Sequence, residues 1–240
     1  SGRSESGHKL FPRRLGKKES ERWQRTSTKP HSFLSMPINK TDTLKLALNG
    51  EIFIALPMRG LWWPKRNCLI ISDTHFGKDE TFRKAGVPLP QGTDDESLGR
   101  LSALLDYTCA MKLWVLGDFL HGAIAENTPF TQSFKNWRTK YPKLEITVTF
   151  GNHDRHQLDK SILQDVEWIS EIKADGFVLT HDSRLTNADF VLSGHVHPVY
   201  QISDSRKSSK RIPVFWIRQK GILLPAFSTF TGGKTIFPRS

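Results

Sequence analysis

Cysteine is scarce in this chain, with two residues in 240, Cys68 and Cys109. A small scaffold stapled by disulfides needs more, so that class is excluded. Both thiols lie in or beside apolar segments and are expected to be buried. No run of 18 apolar residues occurs, so no membrane-crossing helix is expected. No charged-apolar-small leader opens the sequence, and a reducing cytoplasm fits. Acidic residues are outnumbered, 24 Asp and Glu against 35 Lys and Arg, and the formal charge of +11 points to an anionic partner without constraining the fold. What is there is 37% hydrophobic and 10% aromatic content, enough for the core of one large domain or a domain with a tail.

The charge is uneven. Residues 1–35 hold nine Lys and Arg against three Asp and Glu, a net of +6 out of +11, which leaves +5 for the other 205 residues. This segment is polar, basic and without apolar periodicity, and is expected to be disordered. Met36-Pro37-Ile38-Asn39 opens the first patterned stretch. Met36 is therefore read as the true start, with residues 1–35 as leader or added sequence. The functional alternative is a basic arm for nucleic acid.

Five apolar runs then end abruptly in polar blocks. Cys68 to Ile71 reads as a buried strand ending in Ser72-Asp73-Thr74-His75. Side chains at i and i+2 of an extended chain leave on the same side, so Asp73 and His75 can converge on one cation. Leu113 to Leu116 ends in Gly117-Asp118-Phe119-Leu120-His121. Ile146 to Phe150 ends in Gly151-Asn152-His153-Asp154, Phe177 to Thr180 in His181, and Phe190 to Ser193 in Gly194-His195-Val196-His197. Between them, Asp95 to Tyr107 is an amphipathic helix on Leu98, Leu101, Leu104 and Leu105, capped by Thr93 or Asp94. Thr128-Pro129 caps a second helix with Phe130, Phe134 and Trp137 on one face. The order β-α-β-α-β argues for parallel strands with helices on the faces. Upstream, Asn49-Gly50 between apolar strands is a hairpin signal, and Trp62 and Trp63 are read as packing residues. Ser203 to Arg211 is read as a basic loop able to hold a DNA backbone, with Val214 to Ile217 and Ile222 to Leu224 as closing strands.

Taken singly, each polar residue at a strand end has a bland reading as a cap or a surface group. Five ordered blocks do not. Carboxylates, an amide and imidazoles suit Mn²⁺, Fe, Zn²⁺ or Mg²⁺ rather than soft thiolate chemistry. They are too many for one tetrahedral ion and the right number for two. Two ions about 3.5–4 Å apart need a bridging carboxylate, and Asp118, between the first and later blocks, is the natural one. The glycines before ligands, Gly117, Gly151 and Gly194, are expected to allow the sharp exit from strand to loop.

The series D-x-H, G-D-x-x-H, G-N-H-D, H, G-H-x-H resembles the calcineurin-like metallophosphoesterases. The resemblance implies an α/β fold, a four-layer α-β-β-α sandwich of two packed mixed sheets, formed by residues 36–240 as a single domain with the active site at strand carboxyl ends. It implies one ion on Asp73, His75, Asp118 and His197, and a second on Asp118, Asn152, His181 and His195. Phe82 to Gly92, Gly194 to Pro198 and Leu224 to Gly233 further resemble the bacterial DNA ligase-associated metallophosphoesterases. The gene neighbours of that family are a helicase, an exonuclease and a DNA ligase, which implies DNA repair. The departure is Asp73-Thr74-His75-Phe76, where the family more often shows Asp-Leu-His-Leu. This touches spacers and not ligands.

The expected chemistry is hydrolysis of a phosphodiester of DNA or RNA by a water made acidic between two divalent cations, with Mn²⁺ the leading ion. His153 is expected to protonate the leaving oxygen, His121 to assist as in the nuclease branch of the superfamily, and Arg83, Arg155 and Lys78 to contact substrate phosphates. Asp154 is read either as an orienting group or as a helix cap. Thr231-Gly232-Gly233 is read either as an approach of backbone amides to the site or as a plain turn. The competing functions are a cyclic-nucleotide phosphodiesterase on the same site and a non-catalytic repair scaffold.

Overall fold

The structure is a computed structural model that describes residues 38–84, 86, 92–122, 126–154, 163–203 and 209–237. The basic segment expected to be disordered and Arg155 lie outside these residues. β1 (Leu44–Leu48) and β2 (Glu51–Ala55) pair antiparallel around Asn49 and Gly50. The φ values there, 48° and 76°, are the two left-handed positions that Asn-Gly provides in a type I′ turn. β3 (Leu61–Trp63) and β4 (Cys68–Ile71) continue the antiparallel meander. From β4 the sheet turns parallel, through β5 (Lys112–Leu116), β6 (Glu145–Thr149) and β7 (Val166–Ile169), in the order β1-β2-β3-β4-β5-β6-β7.

The crossovers carry α1 (Lys78–Lys84), α2 (Thr93–Thr108) and α3 (Pro129–Lys140). The cap of α3 is Thr128, whose hydroxyl accepts from the Thr131 N–H, with Pro129 in the first turn. The cap of α2 is neither Thr93 nor Asp94. It is Gly92, at φ 83° with no side-chain bond. Both expected caps are engaged elsewhere. Thr93 donates to Asp79, and the Asp94 carboxylate accepts from the Gly77 N–H at 3.1 Å.

The pleat sorts the first sheet into two cores. Leu69, Ile71, Leu113, Val115, Ile146 and Val148 meet Leu98, Leu101, Leu104 and Leu105 of α2 and Phe130, Phe134 and Trp137 of α3. Ile70, Trp114 and Leu116, on the opposite side, join Phe53 and Trp63. There they face a second sheet. Its strands are β8 (Ile172–Ala174), β9 (Phe177–Thr180), β10 (Val191–Ser193) and, beyond a hairpin of β11 (Pro198–Ser203) and β12 (Ser209–Pro213), β13 (Trp216–Arg218) and β14 (Gly221–Leu223). Their order is β13-β14-β10-β9-β8, and β15 (Lys234–Thr235) pairs with β11 in a third, small sheet.

The expected sandwich of two mixed sheets is thus present, with α-helices on the outer face of the first. On the second sheet the described residues supply a short 3-10 turn, Ser183–Leu185, and no α-helix. Trp63 is fully buried between the sheets and Trp62 packs on the other core. Two readings are corrected. Cys68 is buried but Cys109 is exposed, since it ends α2 in the left-handed region at φ 52°. The ends of the expected Ser203–Arg211 loop, Ser203 and Ser209 to Arg211, are strand, because β11 and β12 pair from Val199↔Pro213 to Ser203↔Ser209, and residues 204–208 lie outside the described residues.

Candidate metal centre

Parallel strands put their carboxyl ends on one edge. β4, β5 and β6 run side by side, and so do β9 and β10. The polar blocks therefore emerge together from the ends of two packed sheets. The loops are then zipped to one another. The Asp73 N–H donates to Gly117 C=O at 3.1 Å, His75 to Asp118 C=O at 2.9 Å, Phe76 to Phe119 C=O at 2.9 Å, and His121 to Phe76 C=O at 2.8 Å.

The convergence of Asp73 and His75 does not come from an extended chain. Both are left-handed, at φ 53° and 46°, as are Asp118 at 46°, His195 at 67° and His197 at 49°. Among the described residues, five of the eleven non-glycine residues with positive φ are candidate ligands. Such positions cost about 1–3 kcal/mol each and persist where the surroundings enforce them. The glycines serve two different needs. Gly117 has φ 72°, which favours glycine. Gly151 and Gly194 are set by close approach: a Cβ on Gly151 would collide with Asp118, and one on Gly194 with the Asp73 carboxylate.

Asp154 holds backbone groups of the blocks after β5 and β6. It is fully buried, and its carboxylate accepts from the N–H groups of Gly151 at 2.9 Å, Leu120 at 3.0 Å and Phe119 at 3.3 Å. It thereby ties the block after β6 to the block after β5. Burial pushes its acid range upward, against the pull of these three amides.

The side chains form three overlapping groups whose candidate donor atoms lie within 4.8 Å of one another: Asp73, His75 and His197; Asp73, Asp118 and His181; and His75, His121 and His153. Asp73 and His75 each belong to two groups. The Asp73 Oδ1 is 3.2 Å from His197 Nε2 and 3.7 Å from His181 Nδ1. The Asp118 Oδ2 is 3.5 Å from His181 Nε2 and 3.8 Å from His75 Nε2. The His195 Nδ1 is 3.0 Å from His181 Nε2, and its backbone N–H donates to Asp73. The His153 N–H donates to Asp118 Oδ1 at 2.9 Å, and its ring stacks on His121 at 5.0 Å. Asn152 is exposed beside this cluster. Arg83 is exposed and lines a cavity with Asp79, Glu80, Asp94 and Asp95, with no described contact to the histidines. Arg155 lies outside the described residues.

Three of the imidazoles have a fixed tautomer. A backbone carbonyl faces Nδ1 of His181 (Leu116, 3.1 Å), of His197 (Gly232, 2.9 Å) and of His153 (His121, 3.2 Å), so in the neutral ring the proton sits on Nδ1 and Nε2 is the nitrogen left to meet a cation or a further proton. The Thr231-Gly232-Gly233 segment therefore approaches the site with a carbonyl and not with its amides. The bare Nε2 of His197 points at the Asp73 carboxylate, two electron-rich atoms 3.2 Å apart. Nε2 of His197 and Nε2 of His75 are both buried with no hydrogen-bond partner among the described residues. Only a positive charge resolves such contacts. A proton does so in part: burial lowers the His197 pKa, but the Asp73 carboxylate and the Gly232 carbonyl outweigh it and raise the pKa. Burial drives the His75 pKa down to about 3, assisted by the neighbouring imidazoles, and that of His121 down to about 4, assisted by Lys78. Those rings stay neutral, the form that binds metal. Buried carboxylates, neutral imidazoles and orphaned nitrogens fit hard or borderline divalent cations.

Sequence reasoning overlooked the groups that hold the cluster from behind. The N–H groups of Phe227 and Ser228 donate to Ser72 C=O and Asp73 C=O at 2.8 and 3.1 Å. That strap is itself gripped by arginines. Arg59 donates to Ala226 C=O and Ser228 C=O, and the buried Arg100 donates to Phe227 C=O while lying over the Phe227 ring. No sequence signal could have found them, since no spacing links residue 59 or 100 to residue 227.

Comparison with known proteins agrees with this geometry. Residues 67–183 match the family model described as calcineurin-like phosphoesterase. The crystal structure of the nuclease MPE of Pseudomonas putida is 32% identical, with a TM-score of 0.72, and the match covers 82% of this chain and 93% of that one. A protein of unknown function from Aquifex aeolicus, 21% identical over 54% of this chain and 78% of its own, has a TM-score of 0.37. No curated protein matches the chain.

Proposed function

The chain belongs to the calcineurin-like phosphoesterases and is a metallophosphoesterase, a hydrolase that uses divalent metals, and from that premise we propose that it cleaves phosphodiester bonds of nucleic acid in DNA repair. The observation that carries the proposal is the set of overlapping carboxylate–imidazole groups sharing Asp73, read together with the 32% identity to a nuclease. One ion is assigned to Asp73, His75, Asp118 and His197, and a second to Asp118, Asn152, His181 and His195, with Mn²⁺ as the leading candidate. When bound, such a pair activates water and neutralises charge on the phosphoryl oxygens.

The remaining steps belong to the protein. Asp118 would lend its carboxylate to both ions. His153 is assigned as the general acid. Its Nδ1 is committed to the His121 carbonyl, so the proton delivered to the leaving oxygen travels on Nε2. His121, stacked on His153, is assigned to hold that ring in its working orientation. Arg83 and Arg155 are assigned to substrate phosphates. Residues 36–240 constitute the catalytic domain, acting in the cytoplasm alongside a helicase, an exonuclease and a DNA ligase.

The test is turnover by the purified protein with Mn²⁺ on three substrates: an oligonucleotide, a cyclic nucleotide and bis(p-nitrophenyl) phosphate. Cleavage of the oligonucleotide and of the aryl diester is expected. Turnover confined to the cyclic nucleotide would replace this reading with the small-molecule one, and none on any of the three would leave a scaffold.

A further inference from the structure

A cavity of about 170 Å³ opens beside the cluster and shares His197 with it. Two arginines, Arg59 and Arg211, line it, and among the described residues no carboxylate does. Each guanidinium is held in place by backbone carbonyls. Arg59 Nη1 donates to Ala226 C=O at 3.0 Å and Ser228 C=O at 2.6 Å, and Arg211 Nη2 donates to Gly233 C=O. Carbonyls fix a cation without cancelling its charge, so the cavity stays positive. Thr229 adds a hydroxyl that is buried and has no hydrogen-bond partner among the described residues. A buried polar atom without a partner is costly, on the order of 1–3 kcal/mol, and marks a place where a ligand completes the bonding.

The cavity wants an anion with several acceptor oxygens. Guanidinium forks match phosphate in geometry as well as charge, and among the described residues the lining has no Phe, Tyr or Trp on which a base would stack, its one ring being the His197 imidazole. Its shared wall with His197 sets any occupant next to the reacting phosphate. We propose that it is a subsite for a second phosphate, the backbone phosphate adjacent to the one being cleaved. This rests on the nucleic-acid reading above and deepens it, because a subsite for a neighbouring phosphate favours a polymer over an isolated or cyclic diester.

The test is calorimetric binding, with Mn²⁺ present, of thymidine 3′,5′-bisphosphate against the 3′- and the 5′-monophosphate. The wild-type protein should bind the bisphosphate about tenfold tighter than the better monophosphate, the yield of one charge-assisted contact. In Arg211→Ala and in Thr229→Val that ratio should fall towards one, and Arg211→Lys should retain part of it. Arg211 is exposed, so its replacement does not open the core. Equal affinity for the three nucleotides in the wild-type protein, or an unchanged ratio in both variants, would overturn the subsite. Hydrolysis of bis(p-nitrophenyl) phosphate, measured in parallel, reports on the metallophosphoesterase site alone. Absent turnover with an intact affinity ratio would count against the proposed reaction and not against the subsite.

Discussion

The space between the two sheets and the strand tips at its end are both buried, and they are built in opposite ways. Between the sheets, Phe53, Trp63, Trp114 and Phe177 meet ring to ring at 4.7–6.2 Å, mostly edge to face, and the Trp63 indole N–H donates to Glu51 at 2.9 Å. Every local preference there agrees with the fold. At the tips, Asp73, His181, Asp118 and His75 are 0%, 1%, 4% and 5% exposed, and five candidate ligands hold left-handed backbone. Burying carboxylates against bare imidazole nitrogens costs free energy that no apolar contact returns. The apolar region supplies the stability that keeps the polar region strained and ready for cations. Rule-breaking of this kind is expected where a protein works rather than where it folds.

Breaking the polar side should show first in chemistry. Asp118→Asn should lower Mn²⁺-dependent turnover at least about 10²-fold, since even a partner behind a metal ligand is worth 10–100-fold, and should sharply lower metal content. Retention of two tightly held ions by this variant, measured by elemental analysis, would contradict the bridging role. His153→Ala should lose about 10²–10⁴-fold in turnover while keeping its metal, the signature of a proton donor rather than a ligand. Unchanged turnover would remove that assignment.

The apolar side should respond in the other currency. Trp63→Ala should cost about 3–5 kcal/mol of stability in denaturant unfolding, with the metal content of the folded fraction unchanged. Asp154→Ala falls between the regions. It leaves three N–H groups without their acceptor and should weaken metal affinity about 10–100-fold, with a smaller loss of stability than Trp63→Ala. The least effect belongs to Asp94, whose carboxyl burial raises to about 7. Its folded pKa lies above the unfolded one, so the native state binds more protons from about pH 4 to 7 and stability falls as pH rises through that window. Asp94→Asn should flatten that slope in thermal melts.

The apolar half of the molecule was legible in the sequence because burial repeats at fixed periods. The Asn49-Gly50 turn, the helix on Leu98, Leu101 and Leu104 and the Thr128-Pro129 cap all follow from local chemistry. The clustering of Asp73, His75, Asp118, His181 and His197 was legible too, because parallel strands deliver successive blocks to one edge. The means of delivery was not. No propensity announces that Asp73, His75 and His197 turn left-handed, since that conformation is enforced by the zipped loops and the strap at Phe227 and Ser228. Gly151 and Gly194 read as flexible exits, yet their task is to leave room for Asp118 and Asp73. Asp154, Arg59 and Arg100 act on backbone groups of segments distant in sequence, and spacing carries no trace of such pairs.

The most direct measurement is the number and location of bound ions, by elemental analysis of the Mn²⁺-loaded protein joined to anomalous scattering from its crystals. Two ions in one pocket, both touching Asp118, are predicted. A single ion, or ions seated away from Asp73 and Asp118, would contradict the account.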